Sequence, residues 1–109
     1  MSVPAFKIVE ANGPDLKTLF HGIDGSRKLP SGRWLTAAKK MVKDGTSKTR
    51  YLSGFHILMT EADAERYLTS FSRRLEKLKI VRCTVRGEIR PKRHSRHPVF
   101  LADEIWLDY

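Results

Sequence analysis

The densest chemistry in this chain lies in the segment RGEIRPKRHSRH, Arg86 to His97. Arg86, Arg90, Lys92, Arg93 and Arg96 put five cations into twelve residues, and only Glu88 opposes them. Arginine predominates, and a guanidinium offers a planar fork of donors that fits two phosphate oxygens at once. Such a segment suits the phosphate backbone of a nucleic acid or an acidic protein surface. Arg73, Arg74 and Lys77 on a predicted helix and Arg82 on a predicted strand extend it. Arg66 on the same helix, and Lys39, Lys40, Lys43, Lys48 and Arg50 upstream, add to the cationic field. A charge run is also what a merely solvated loop looks like. The shortage of acids and the position between two ordered strands favour binding.

Two histidines form a second candidate. His21 (in Leu19-Phe20-His21-Gly22) and His56 (in Ser53-Gly54-Phe55-His56) each follow an aromatic residue near a glycine. With Tyr51 and Tyr67 they could line one pocket, where imidazole supplies acid–base work or a donor to a ligand. The plainer reading is two hydrogen-bonded histidines of a sheet, and the residues alone balance the two. His94 and His97 have an i, i+3 spacing, but no third ligand or thiol accompanies them, so neither a metal nor a cofactor is expected. The chain has no P-loop, no Gly-x-Gly-x-x-Gly and no paired cysteines. Ser53 before Gly54 lacks the full Gly-x-Ser-x-Gly pattern of a nucleophile elbow. No catalytic residue is therefore assigned, and a binding module is expected ahead of an enzyme. Trp34, Trp106 and Tyr109 read as core or rim, and without a run of exposed aromatics single-strand specificity is not expected.

The elements that must position these residues follow from periodicity. Ala5 to Ala11 reads as a strand, and Asn12-Gly13-Pro14-Asp15 as a turn into a second strand, Leu16 to His21. Gly22 to Arg33 is loop. Trp34 to Val42 suits a short helix or a strand, with Lys43-Asp44-Gly45 as a turn in the latter case. Tyr51 to Met59 reads as one core strand with Gly54 as a bulge or point of close approach. Thr60 is an N-cap with Asp63 three residues on, and Ala64, Tyr67, Leu68, Phe71, Leu75 and Leu78 recur at helical spacing, so a helix is predicted from Glu61 to about Lys77. Leu78 to Arg86 alternates as a strand, with Val81, Cys83 and Val85 on one face, and Gly87 is expected to end it. Pro98 to Tyr109 gives one or two strands broken at Ala102-Asp103. The sum is an α+β fold: a small, mostly antiparallel sheet of about five or six strands with one main helix packed on one face.

With 109 residues the chain makes one domain, long enough to bury a core without staples. Its 21 Lys and Arg against 12 Asp and Glu give a formal net charge of +9, which suits an anionic partner. The lone Cys83 excludes an internal disulfide, reads as a small buried hydrophobe and fits a reducing compartment. No apolar run is long enough for a membrane span, and Met1-Ser2-Val3-Pro4 has no signal-peptide pattern, so a cytoplasmic location is expected.

Ser53-Gly54-Phe55-His56, the Ala-x-x-Tyr-Leu helix run from Ala64 to Leu68, and His94-Ser95-Arg96-His97-Pro98-Val99-Phe100-Leu101-Ala102-Asp103-Glu104-Ile105 form a distinctive set. Together they resemble a family of short, uncharacterised bacteriophage and prophage proteins. The resemblance implies an accessory phage protein acting in the host cytoplasm, and carries no activity. Leu19-Phe20-His21-Gly22 is more distantly similar to ADP-ribosyltransferase-like folds, which implies a pocket for an NAD-like nucleotide in which His21 holds the ribose and Tyr51 or Tyr67 stacks on nicotinamide. That pattern also needs a late catalytic acid, and neither Glu88 nor Glu104 stands in a matching loop. The expected function is thus a basic module contacting nucleic acid or an acidic host protein. A nucleotide pocket, enzyme or ligand trap, is the alternative.

Overall fold

In the computed structural model, residues 2–11, 16–18, 28–37, 41–43, 50–70, 78–92 and 95–107 are described, with the backbone alone at 16–18, 42–43 and 50–51. The long strands are β1 (Val3–Ala11), β7 (Leu78–Pro91) and β8 (Phe100–Leu107). Short strands β2 (Leu16–Thr18), β3 (Trp34–Thr36), β4 (Met41–Lys43), β5 (Arg50–Leu52) and β6 (Phe55–Ile57) lie between them, and the helix α1 (Glu61–Thr69) follows β6. The fold is α+β, and every strand pair is antiparallel.

The main sheet runs β2-β1-β7-β8-β3, and β6 pairs with the other half of the edge of β8 that β3 uses. Just past β6, Leu58 exchanges two backbone hydrogen bonds of 2.8 Å with Phe6 of β1. The path β1, β7, β8, β6 and back to β1 is therefore a closed circuit of backbone bonds. Closure removes unpaired edges and wraps one face of the sheet around an interior. That interior holds Ala5, Val9, Phe55, Ile57, Val81, Cys83, Val85, Ile105 and Leu107. The expected alternation of Val81, Cys83 and Val85 is the inner side of β7.

α1 begins as its cap predicts: the Thr60 hydroxyl accepts a hydrogen bond from the Asp63 N–H at 3.1 Å. Ala64, Tyr67 and Leu68 pack on Phe6, Ile8, Leu58, Leu78, Ile80 and Val99. The predicted helix residues beyond Ser70, including Arg73, Arg74 and Lys77, lie outside the described residues, as do His21, Arg93 and His94.

Three sequence expectations change. The single strand expected over Tyr51 to Met59 is split at Ser53 and Gly54 into β5 and β6. There the backbone crosses β8 so closely that a Cβ on Gly54 would sit 3.1 Å from Leu101 Cβ and 3.2 Å from the Ala102 carbonyl oxygen. Close approach was the right reason for this glycine. Gly87 does not end β7. It takes φ +82°, open to glycine at little cost, and makes a bulge where the register with β8 shifts between Arg86 and Ile89. Ala102-Asp103 does not break the last strand, because both residues are buried in a continuous β8.

Candidate nucleic-acid interface

Because β7 continues through the bulge, the first half of the basic segment is strand rather than loop. This sorts its arginines. Arg90 is drawn inward, with its side chain 18% exposed. Its Nη2 donates to the carbonyl oxygens of Ser53 (2.7 Å) and Leu52 (3.3 Å). Its Nη1 donates to Asp103 (3.1 Å) and Glu88 (3.3 Å). Asp103 in turn accepts from the Glu88 backbone N–H at 3.0 Å, across the bulge. Arg90 therefore ties the β5–β6 crossing to β7 and β8, and both of its Nη groups are committed within the fold. Its Nε is, among the described residues, the one buried side-chain nitrogen or oxygen without a hydrogen-bond partner.

Arg82 and Arg86 are placed differently. Directly opposed residues of an antiparallel pair share a face. On the side of β7 away from the interior, Phe6 opposes Arg82 and Pro4 opposes Thr84. Thr84 in turn opposes Trp106, and Arg86 opposes Glu104. On the far side of β8, Trp34 opposes Trp106 and Thr36 opposes Glu104. The outer face thus carries Arg82, Thr84 and Arg86 in alternation, flanked by two indoles. Arg82 is exposed. Arg86 donates to Glu104 at 3.1 Å, yet its side chain remains 41% exposed. Its guanidinium carbon lies 3.8 Å from the centre of the Trp34 ring, in cation–π contact. The hydrogen bond from Arg86 holds the Glu104 carboxyl below its ordinary pKa. Trp34 and Trp106 meet edge to face at 5.8 Å. Both are half-buried, and neither belongs to the two packed apolar clusters.

Past the end of β7 the basic segment meets the histidine candidates. Lys92 Nζ lies 3.1 Å from His56 Nε2, and the Lys92 N–H donates to the Val99 carbonyl at 2.9 Å. The Tyr67 ring on α1 lies 5.2 Å from the ring of His97. His56 and Tyr67 are thus each engaged with a residue of the basic segment. Arg96, the chain neighbour of His97, is exposed. The side chain of Tyr51 lies outside what is described. Among the described residues no group of three His, Cys, Asp or Glu side chains could hold a metal.

Sequence reasoning missed two features of this surface. Trp34 and Trp106 read as core or rim, and both are half-buried, but nothing local to either residue shows that β3 and β8 pair them. Arg33, exposed and next to Trp34, adds a cation near this face. No family model, curated protein or solved structure matches the chain. No helix among the described residues is long and apolar enough to cross a membrane.

Proposed function

We propose that this chain is a basic anion-binding module that contacts nucleic acid, of the kind an accessory phage protein would use inside its host. The observation that supports it most is the alternation of Arg82 and Arg86 on the outer face of β7, with Lys92 and Arg96 following at the end of that strand. A strand spaces same-face residues about 6.5–7 Å apart, so Arg82 and Arg86, two such steps apart with Thr84 between them, set their charges roughly 13 Å apart along one line. The formal charge of +9 raises the local concentration of any polyanion. Arg90 contributes by holding the crossing strand in place, rather than by touching ligand.

The test is a titration of labelled duplex DNA, single-stranded DNA and RNA at two salt concentrations, with wild type and an Arg82→Glu/Arg96→Glu variant. Affinity should fall by roughly one log unit per log unit of salt for each phosphate neutralised. The double variant should lose most of the binding. If no nucleic acid binds at low salt, the reading fails, and an acidic protein surface becomes the partner to seek.

A further inference from the structure

We infer that the outer face of β3, β8 and β7 is a stacking platform for unpaired bases, so that the preferred ligand is single-stranded nucleic acid. This rests on the anion-binding reading above and names the ligand class of the same face. Three features meet there. Trp34 and Trp106 are a directly opposed cross-strand pair on the side of the sheet away from its interior. Arg86 lies against the Trp34 ring while much of its side chain stays open. A guanidinium held against an indole is itself a surface on which a base can stack. Arg82, four residues back along the same strand and on the same face, is exposed and carries a charge for a phosphate further along the chain. Thr84 lies between them, opposite Trp106, with a hydroxyl for a base edge.

The alternative occupant of an apolar sheet face is another protein. Charge complementarity favours a polyanion: the indoles are bordered by Arg82, Arg86 and the exposed Arg33, and the acid paired across this face, Glu104, already bonds Arg86. Duplex nucleic acid could use the cations, but keeps its base faces covered and leaves the indoles without a role.

Trp34 and Trp106 are the chain's only two tryptophans, so indole fluorescence reports this face directly. The wild-type chain is titrated with a dT oligonucleotide, a U oligonucleotide, an abasic chain of the same length and a duplex of equal charge. The expected result is quenching by the base-bearing single strands and affinity about tenfold or more above the abasic chain, as stacking of even one base would give. The dT and U arms separate DNA from RNA preference. Trp106→Ala should lose the preference for bases, and Trp106→Phe should keep part of it. Equal, salt-sensitive binding of abasic and base-bearing chains, with fluorescence unmoved, overturns the platform while leaving the anion-binding reading intact. Tighter binding of the duplex without quenching overturns it as well. No binding of any of the four at low salt overturns both.

Discussion

Replacing Lys7 by methionine should stabilise this protein at neutral pH. Lys7 sits among the interior residues of β1, 1% exposed. Its Nζ donates to the His56 carbonyl oxygen at 2.9 Å and lies 5.9 Å from the Phe55 ring centre. Burial lowers its pKa from 10.5 to about 8, the nearby Cys83 pulling weakly the other way. Below pH 8 the amine is charged in both folded and unfolded chains, and the folded state carries the full cost of burying that charge. Between pH 8 and 10.5 the unfolded chain binds more protons, so stability rises with pH and the cost disappears. At ~1.4 kcal/mol per tenfold change, the span from 10.5 to about 8 amounts to about 3 kcal/mol. Methionine removes that cost but forfeits one buried hydrogen bond from a charged donor, worth about 2 kcal/mol. The variant should therefore be more stable than wild type by about 1 kcal/mol at pH 7. Its advantage should shrink by about 3 kcal/mol as pH passes 10.5. Urea unfolding of both proteins at a series of pH values measures the difference. A difference independent of pH, or a wild type more stable at pH 7, would refute the reasoning.

Other perturbations probe the frame around the interface. Arg90→Ala strips two carbonyl oxygens and Asp103 of their partner and should destabilise by about 2–4 kcal/mol in denaturant unfolding, since breaking a largely buried ion pair leaves an uncompensated charge. An effect below half a kcal/mol would show that Arg90 is not the tie described. Gly87→Ala puts a Cβ 2.9 Å from Asp103 Cβ at φ +82° and should cost about 2 kcal/mol or more. A variant as stable as wild type would mean the bulge is not held in this conformation. Cys83 is buried, which pushes its thiol up to about 11. With an ordinary value of 9.0 in the unfolded chain, the thiolate fraction at pH 8 falls about a hundredfold on folding, so a disulfide reagent should label the native thiol at least that much more slowly than the unfolded one. Equal rates would contradict the burial.

Much of the fold is legible in the sequence because its signals are local. Thr60 and Asp63 mark the helix start, and the alternation of Val81, Cys83 and Val85 marks the inner side of β7. What sequence reasoning misses depends on pairing between distant segments. Gly87 reads as a stop, yet a glycine at positive φ serves a bulge as readily as a turn, and only Asp103 across the ladder decides which. Arg90 reads as surface because its type almost always is, and its burial follows from carbonyls that Gly54 brings close. Lys7 looks like the polar position of an alternating strand, but closure through Leu58 turns that side into the interior. The basic segment is visible at once, while its division into a buried tie and an open face is not.

The most direct measurement is the dependence of affinity on salt for a single-stranded oligonucleotide, compared between wild type and an Arg82→Gln/Arg86→Gln variant. Each arginine that neutralises a phosphate should contribute a little under one unit to the slope of log affinity against log salt, so the variant's slope should be shallower by about 1.4. A wild type that binds with no salt dependence, or a variant whose slope and affinity equal those of wild type, would contradict the assignment of this face to nucleic acid.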